Sequence, residues 1–496
     1  MPPTAEDTTD IRNASTTAHL PFPRGAPHPA WRRLSGLVTG ADRKHPMTSR
    51  QRDALAVLSI EGFLSSIYLI LTTSAFLSAF ALMLGASDMH MALITSIPSV
   101  SNILGLVGAA IAERLGTRRL LTVVTSALSR LLWIPICLLP FLPLDPREAL
   151  HLFLLLIVIS GLMQGVSTNV FQGWIADLVP ESLRGRYMGR RNRIINVGSI
   201  IAMLAGGAVL DLARDNGAEA FGFAAVFLVA VVFGLGSVEA IRREWEPPME
   251  RVAQRGFLRN ATRPFRDPDF RGLIACFALL HFSLGFSAPF FFPYLIKDVG
   301  VSNTQLASFV VTSLAIGAVF HGIWGPVMDR AGIRPALSIN VATIAFIPFL
   351  YVASLSGGLF FVYLAWILAG ISWSGFSIAS MNLPFALSPR EGRSYYLAAL
   401  NIVMGLMFLA GAWISGVMAE RIAGWRGEFL GVQFVHYHVL FVISALGRFG
   451  SMLLFRRVRD VKNRGLLLTL MYAGELIYLK AAAMPYVGGA LKKRPG

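Results

Sequence analysis

Glu61 and Arg130 are the two charges this chain must justify first. Glu61 lies about eight residues inside one apolar run and Arg130 about eleven inside another, where each charge costs roughly 2.5–3.5 kcal/mol at the centre of a membrane helix. A carboxyl group so placed can take up and release a proton, and a guanidinium can hold an anion. At similar depths the two can also pair with each other and stiffen the bundle. All three readings stay open at the level of sequence. Glu61 is joined by Ser65, Tyr68 and Thr72 at steps of four, three and four, one polar stripe on an otherwise apolar helix. Gln164, Thr168 and Gln172 make a similar stripe, with Asn169 alongside, and Trp373, Ser377 and Met381 stand at aligned positions with Asn382 beside them.

His281 precedes the aromatic cluster "SAPFFFPY", kinked by Pro289 and Pro293. His281 and His321 can carry protons or serve as hydrogen-bonded packing residues. His436 and His438 in "FVHYH" are too few ligands for a usual zinc site, so no metal or cofactor is expected. The chain carries no Gly-rich phosphate loop, no HExxH helix and no nucleophile elbow. Catalysis and ATP-driven work are therefore not expected.

A second constellation occurs twice. "IAERLGTRR" ends one apolar run and "VMDRAGIRP" ends another, 216 residues later. The copies align Glu113 with Asp329, Arg114 with Arg330, Gly116 with Gly332 and Arg118 with Arg334. Glycine can take the left-handed conformation that ends a helix. The acid can cap a neighbouring helix or pair with arginine, and the arginines sit at headgroup level.

The elements that position these residues follow from composition. The 496 residues are 54% hydrophobic and only 15% charged, with a mean hydropathy of +0.59, whereas soluble domains carry charge at roughly a quarter of positions. Apolar runs at 54–84, 91–112, 120–142, 151–175, 194–212, 220–241, 273–296, 305–328, 336–355, 359–387, 395–419 and 435–455 predict twelve spans, most long enough for about 30 Å of hydrocarbon. The net charge of +16 does not imply nucleic acid, because about 37 of the 44 Lys and Arg fall in alternate loops and both tails, the positive-inside pattern. Both termini are thereby expected in the cytoplasm. Cys137 and Cys276 lie within apolar runs, so no disulfide framework is expected.

A second run of matches holds at an offset of 209: Gly161 with Gly370, Pro180 with Pro389, Arg184 with Arg393, Tyr187 with Tyr396, Asn192 with Asn401, Gly207 with Gly416 and Asp211 with Glu420. A fixed offset joining such different residue types points to duplication. The expected organisation is an unstructured cytoplasmic tail over 1–52, a six-helix bundle over 53–241, a basic linker over 242–271, a second bundle over 272–456, and a tail over 457–496 with an interfacial helix. The fold class is an all-α polytopic membrane protein, two pseudo-symmetric six-helix bundles related by an axis along the membrane normal.

Gly325-x-x-x-Asp329-Arg330-x-Gly332-x-Arg334 resembles the hallmark loop of the major facilitator superfamily, and "LVPESLRGRYMGRR" resembles that family's loop after the fourth span. In the first copy Ala109, Glu113 and Thr117 replace the family's Gly, Asp and Arg. The resemblance covers about residues 54–456 and implies a secondary transporter working by alternating access. It implies that the first, fourth, seventh and tenth spans face a central cavity, which would place Glu61, Tyr68, Gln164, Thr168, Asn169, Gln172, His281, Trp373, Ser377 and Asn382 around a small solute; Arg130, in the third span, joins these candidates through its buried charge. It implies that Glu113, Arg114, Gly116, Arg118, Asp329, Arg330, Gly332 and Arg334 form a latch between the halves at the cytoplasmic face. The partners so implied are a small molecule, the bilayer of the inner membrane and, if Glu61 titrates, H+, with the monomer as the working unit. The competing class is a non-transporting sensor or assembly partner of the same fold. The fifth span has Gly206-Gly207 but no proline of the exporters' Gly-Pro-Gly-Gly pattern, and the aromatics favour an amphipathic or apolar substrate over a sugar.

Overall fold

A computed structural model describes residues 49–247, 262–389, 392–429, 432–455, 458 and 465–482. Most of the expected N-terminal tail, the middle of the linker and the end of the C-terminal tail lie outside these residues. Twelve helices are long and apolar enough to cross a membrane. The first six are α1 (Gln51–Met83), α2 (Asp88–Leu115), α3 (Arg118–Phe141), α4 (Pro146–Leu178), α5 (Tyr187–Asp215) and α6 (Glu219–Arg243). The second six are α7 (Pro268–Val299), α8 (Asn303–Ala331), α9 (Ile333–Ser354), α10 (Leu359–Leu387), α11 (Tyr395–Arg421) and α12 (His436–Phe455). A further helix, α13 (Leu466–Ala482), packs across α8 and α9. Helices are the form these segments must take, since lipid offers the backbone no hydrogen bonds.

Local chemistry sets the ends. Ser87 with His90, and Ser302 with Gln305, form reciprocal capping boxes that start α2 and α8. Gly116 closes α2 at φ 69° and Gly332 closes α8 at φ 107°, so both copies of the repeated loop turn on a glycine. Ser74, at φ 52°, breaks α1 near its far end. In α7 the "APF" segment holding Pro289 tightens into a 3-10 turn, and the last turn widens to a π-helix over Leu295–Val299. One feature departs from an all-helical expectation: β1 (Arg426–Phe429) pairs antiparallel with β2 (Val432–Val435) between α11 and α12. The β-formers Val432, Phe434 and Val435 suit it to that hairpin.

The duplication is visible in the packing. In the first half α1 packs on α5 and α6, α2 on α4, and α3 on α4 and α6. The second half repeats every pair: α7 on α11 and α12, α8 on α10, α9 on α10 and α12. The halves meet where α2 packs on α11 and α5 on α8, two contacts that a two-fold axis along the bundle interchanges. Aromatic clusters fill each half. Phe80 packs edge-on against Phe153, Phe223 and Phe227 at 5.1–5.4 Å, and Phe441 gathers Phe291, Tyr294 and Tyr351.

Candidate functional site

Glu61 and Arg130 are both buried, 4% and 1% exposed, but they do not bond each other. The ion pair is instead Glu61 with Arg191 of α5, Nη2 to Oε2 at 2.9 Å, and Arg191 Nε also donates to Leu58 O. Helix α5 begins about two turns before its apolar run, which carries Arg191 down to the level of Glu61. Arg130 is held by dipoles. Its Nε donates to Gly234 O at 3.0 Å and Ser237 Oγ at 3.2 Å, and its Nη1 to Ser126 O at 3.0 Å and Gln164 Oε1 at 3.1 Å. The guanidinium lies 4.8 Å from the Tyr68 ring centroid. Gln164 is oriented in turn by Thr168, 3.0 Å from its Nε2.

Three cavities open around these groups. A charged one of about 210 Å³ is lined by Glu61, Arg130, Arg191, Gln164, Thr168 and Gln172, with Ser65, Ser66 and Ser167. A largely apolar one of about 230 Å³ shares Leu69, Gln164 and Thr168 with it and adds Tyr68, Leu77, Ile94, Ile97, Trp133 and Ile157. A third, of about 370 Å³ and polar, lies between the halves and is lined by Ser99, Asn169, Gln172, His281, Asn401, Met404 and Gly405. Of the expected site residues, all those from α1, α3, α4 and α7 line at least one of these cavities. The α10 residues are not brought to them. Trp373 packs on Phe376 and Ser377 faces His321 at 3.4 Å, while Asn382 is exposed on the same helix. Arg191 and Asn401 were missed. Arg191 was hidden in a basic run that reads as a topogenic loop, and Asn401 was visible only as the duplicate of Asn192.

Arg448 does not snorkel, as its place near the end of a span suggests. It is 2% exposed and donates to Ile344 O and Ser287 Oγ. His436 pairs with Asp88 Oδ2 at 3.1 Å, and among the described residues no cluster of three or more metal-ligating side chains occurs.

At the face away from the described chain ends the halves are pinned by matched carboxylates. Asp211 of α5 accepts from the backbone N–H groups of Asn303 and Thr304 at 2.7 and 2.8 Å, the first turn of α8. Its duplicate Glu420 of α11 accepts from Ser87 Oγ at 2.5 Å and Met89 N at 3.3 Å, the start of α2. Each carboxylate offsets the positive end of a helix in the other half. Gly207 and Gly416 let the backbones close up: a Cβ on Gly207 would lie 2.9 Å from Asn303 O, and one on Gly416 2.9 Å from the Ala92 methyl. Asp88 adds a third tie, accepting from Tyr437 Oη at 2.6 Å.

At the opposite face Glu113, Arg114, Asp329 and Arg330 are exposed. The first loop copy is strapped within its own half. Glu246 accepts from Thr117 Oγ1 at 3.0 Å and from Arg118 N, Arg118 Nη1 reaches Asp177 at 2.6 Å, and Arg119 Nη2 donates to Glu244 O at 2.7 Å. Glu244, just beyond α6, is fully buried, and burial, abetted by the Glu61 charge, pushes its carboxyl up to about 9. In the second copy Arg330 lies 6.0 Å from the Tyr472 ring centroid of α13.

The family model described as Major Facilitator Superfamily matches residues 62–291 and again 273–466. The chain belongs to the major facilitator superfamily. Two matches within one chain agree with the repeated packing of its halves. Among curated members, "Efflux pump DEP3" of Alternaria brassicicola is 27% identical over 142 residues, 28% of this chain and 24% of that protein. "Multi-drug resistance efflux pump PmrA" of Streptococcus pneumoniae is 26% identical over 151 residues, 28% of this chain and 35% of that protein. The chain thus matches about a quarter to a third of the length of these relatives. Among solved superfamily structures, a D-xylose-proton symporter superposes with a TM-score of 0.62 at 16% identity, covering 82% of this chain and 98% of that one. The nucleoside transporter NupG superposes at 0.60 with 15% identity, covering 82% and 98%. A bacterial homologue of the lysosomal transporter Spinster, inward-facing and occupied, superposes at 0.57 with 17% identity, covering 88% and 99%. At these identities the likeness is one of fold.

Proposed function

We propose that this protein is a secondary active transporter that moves a small solute by alternating access. The observation that carries the reading is the unequal closure of its two faces. Matched pins at Asp211 and Glu420 hold α5 to α8 and α11 to α2 at one face, while the repeated acid–arginine loops stand exposed at the other. Cavities lie between the halves and within the first half. The distribution of Lys and Arg supports a cytoplasmic position for the exposed loops and both termini, and on that orientation the state is inward-facing. Glu113, Arg114, Asp329 and Arg330 then serve the opposite state, tying the cytoplasmic ends when the pins release. The efflux pumps among its relatives are in keeping with transport, and the aromatic residues of the spans favour an amphipathic solute.

Proton coupling falls to Glu61, a buried carboxyl group bordering a cavity and balanced against Arg191. The test is solute flux in proteoliposomes with and without an imposed pH gradient. Wild-type flux should respond to the gradient, and Glu61→Gln should remove the response. An unaltered pH profile in Glu61→Gln would end the coupling role, and absence of flux for every member of a broad solute panel would favour a non-transporting sensor.

A further inference from the structure

We propose that the solute is an amphipathic organic anion, its charged head bound by Arg130 and its apolar body lodged in the adjoining cavity. The proposal deepens the transport reading and rests on it. It begins with the unused capacity of one side chain. Arg130 spends Nε and Nη1 on four acceptors, and among the described residues its Nη2 makes no hydrogen bond. That group belongs to a side chain 1% exposed which lines the charged cavity. Nη2 is not one of the buried unpartnered atoms of the structure, so it meets the open space of the cavity, and a bound anion there gains a charge-assisted bond.

The surroundings supply the sign and the shape. The ionisable groups lining the charged cavity are Arg130, Arg191 and Glu61, two cations and one anion. Glu61 is already engaged by Arg191, so a second carboxylate or a sulfonate restores neutrality. Thr168, whose oxygen accepts from Gln164, and Ser167 offer hydroxyl donors to its remaining oxygens, while Ser65 serves Glu61. Leu69, Gln164 and Thr168 also line the neighbouring cavity walled by Leu77, Ile94, Ile97, Trp133 and Ile157, which suits a ring or short alkyl group and not a second charge. Gln172 lines both the charged cavity and the polar one between the halves, which gives the head a polar route in.

The test uses the full chain in lipid nanodiscs and three probes of one shape: 2-naphthalenesulfonate, the neutral 2-naphthalenesulfonamide and 2-naphthylmethylammonium, with methanesulfonate as a head without a body. The sulfonate should bind at least about tenfold more tightly than the sulfonamide, as one charge-assisted bond implies, and the ammonium more weakly than both. Methanesulfonate and chloride should fail to compete at equal concentration. Arg130→Gln should bring the sulfonate-to-sulfonamide ratio near one while sulfonamide binding persists, and Arg130→Lys should keep an anion preference. Equal binding of the three probes, or a preference that survives in a folded Arg130→Gln protein, overturns the proposal. So does full competition by methanesulfonate or chloride, which would mark an inorganic-anion site. If Arg130→Gln does not fold, the wild-type ratios and Arg130→Lys still decide. Flux of neutral or cationic solutes without sulfonate binding would sink the anion and leave the transporter standing. Sulfonate binding with no flux of any solute would do the reverse.

Discussion

In the first half, Arg130 sits between α3 and α6 beside a cavity that also holds an ion pair. In the second half, Arg448 of α12 occupies the equivalent junction, reaching Ile344 of α9 and Ser287 of α7. No carboxylate bonds it among the described residues. The same three-helix corner thus carries a buried arginine in both halves, delivered from different helices. The first adds an acid and a second arginine, Glu61 and Arg191, and borders a cavity. Duplication conserved the packing pairs, and the chemistry diverged on top of them. The distal pins behave the other way: Asp211 and Glu420 still do the same work from matched positions.

The sharpest way to break this contrast is at the ion pair. Arg191→Gln leaves Glu61 buried without its partner, which costs about 3–5 kcal/mol, and the thermal midpoint in detergent should fall accordingly. Glu61→Gln in the Arg191→Gln background should recover most of the loss, because a neutral pair needs no counter-charge. Full additivity of the two single losses would mean that the pair contributes packing and little electrostatics.

The pins come next in size. Asp211→Asn should cost about 1 kcal/mol of distal closure, roughly a fivefold shift toward the outward-open population. Glu420→Gln should shift it less, since Glu420 is more exposed and solvent screens its charge. Spin-label distances between α5 and α8, and between α2 and α11, would report both. Equal shifts, or a shift in one helix pair only, would show that the halves do not release together.

How much of this was legible from sequence follows from what each feature depends on. The twelve spans were, because each is an apolar run long enough to stand alone, and the structure moves their ends by only a few residues at most boundaries. The pins were half legible. Asp211 and Glu420 emerge as a matched pair from the fixed offset, but their helix-end partners are set by how the halves meet. The partner of Glu61 was not legible. Arg130 is the charge at a similar depth, whereas the true partner, Arg191, lies in a run of arginines that topology alone would explain. Arg448 fails for a related reason: depth along a helix is readable, and the direction a side chain takes around it is not.

The exposed loops should show a smaller effect on stability than on function. Asp329→Asn should change the thermal midpoint by an amount corresponding to no more than about 0.5 kcal/mol, because Asp329 is exposed in this state. It should nevertheless slow flux and deplete the outward-open population. Glu113→Gln should do less, since its loop is already strapped by Glu246 and Asp177 within the first half. Unchanged flux and unchanged populations in Asp329→Asn would remove the latch role.

The strap itself gives the clearest sign. The second loop copy meets Tyr472 from α13, whereas the first is bound by the residues following α6, which bury Glu244. Its carboxyl is held near 9 against an ordinary value of 4.5, so the folded state binds this proton more tightly than the unfolded chain does. The contribution is complete below about 4.5 and is lost as pH rises through about 9. Wild-type protein should therefore lose a few degrees of thermal midpoint between those limits. Glu244→Gln, neutral throughout and of the same shape, should lose less by that amount and match the wild type near pH 5. Parallel curves for the two proteins would mean that Glu244 is ionised and solvated, and that the strap holds the loop through Glu246 alone.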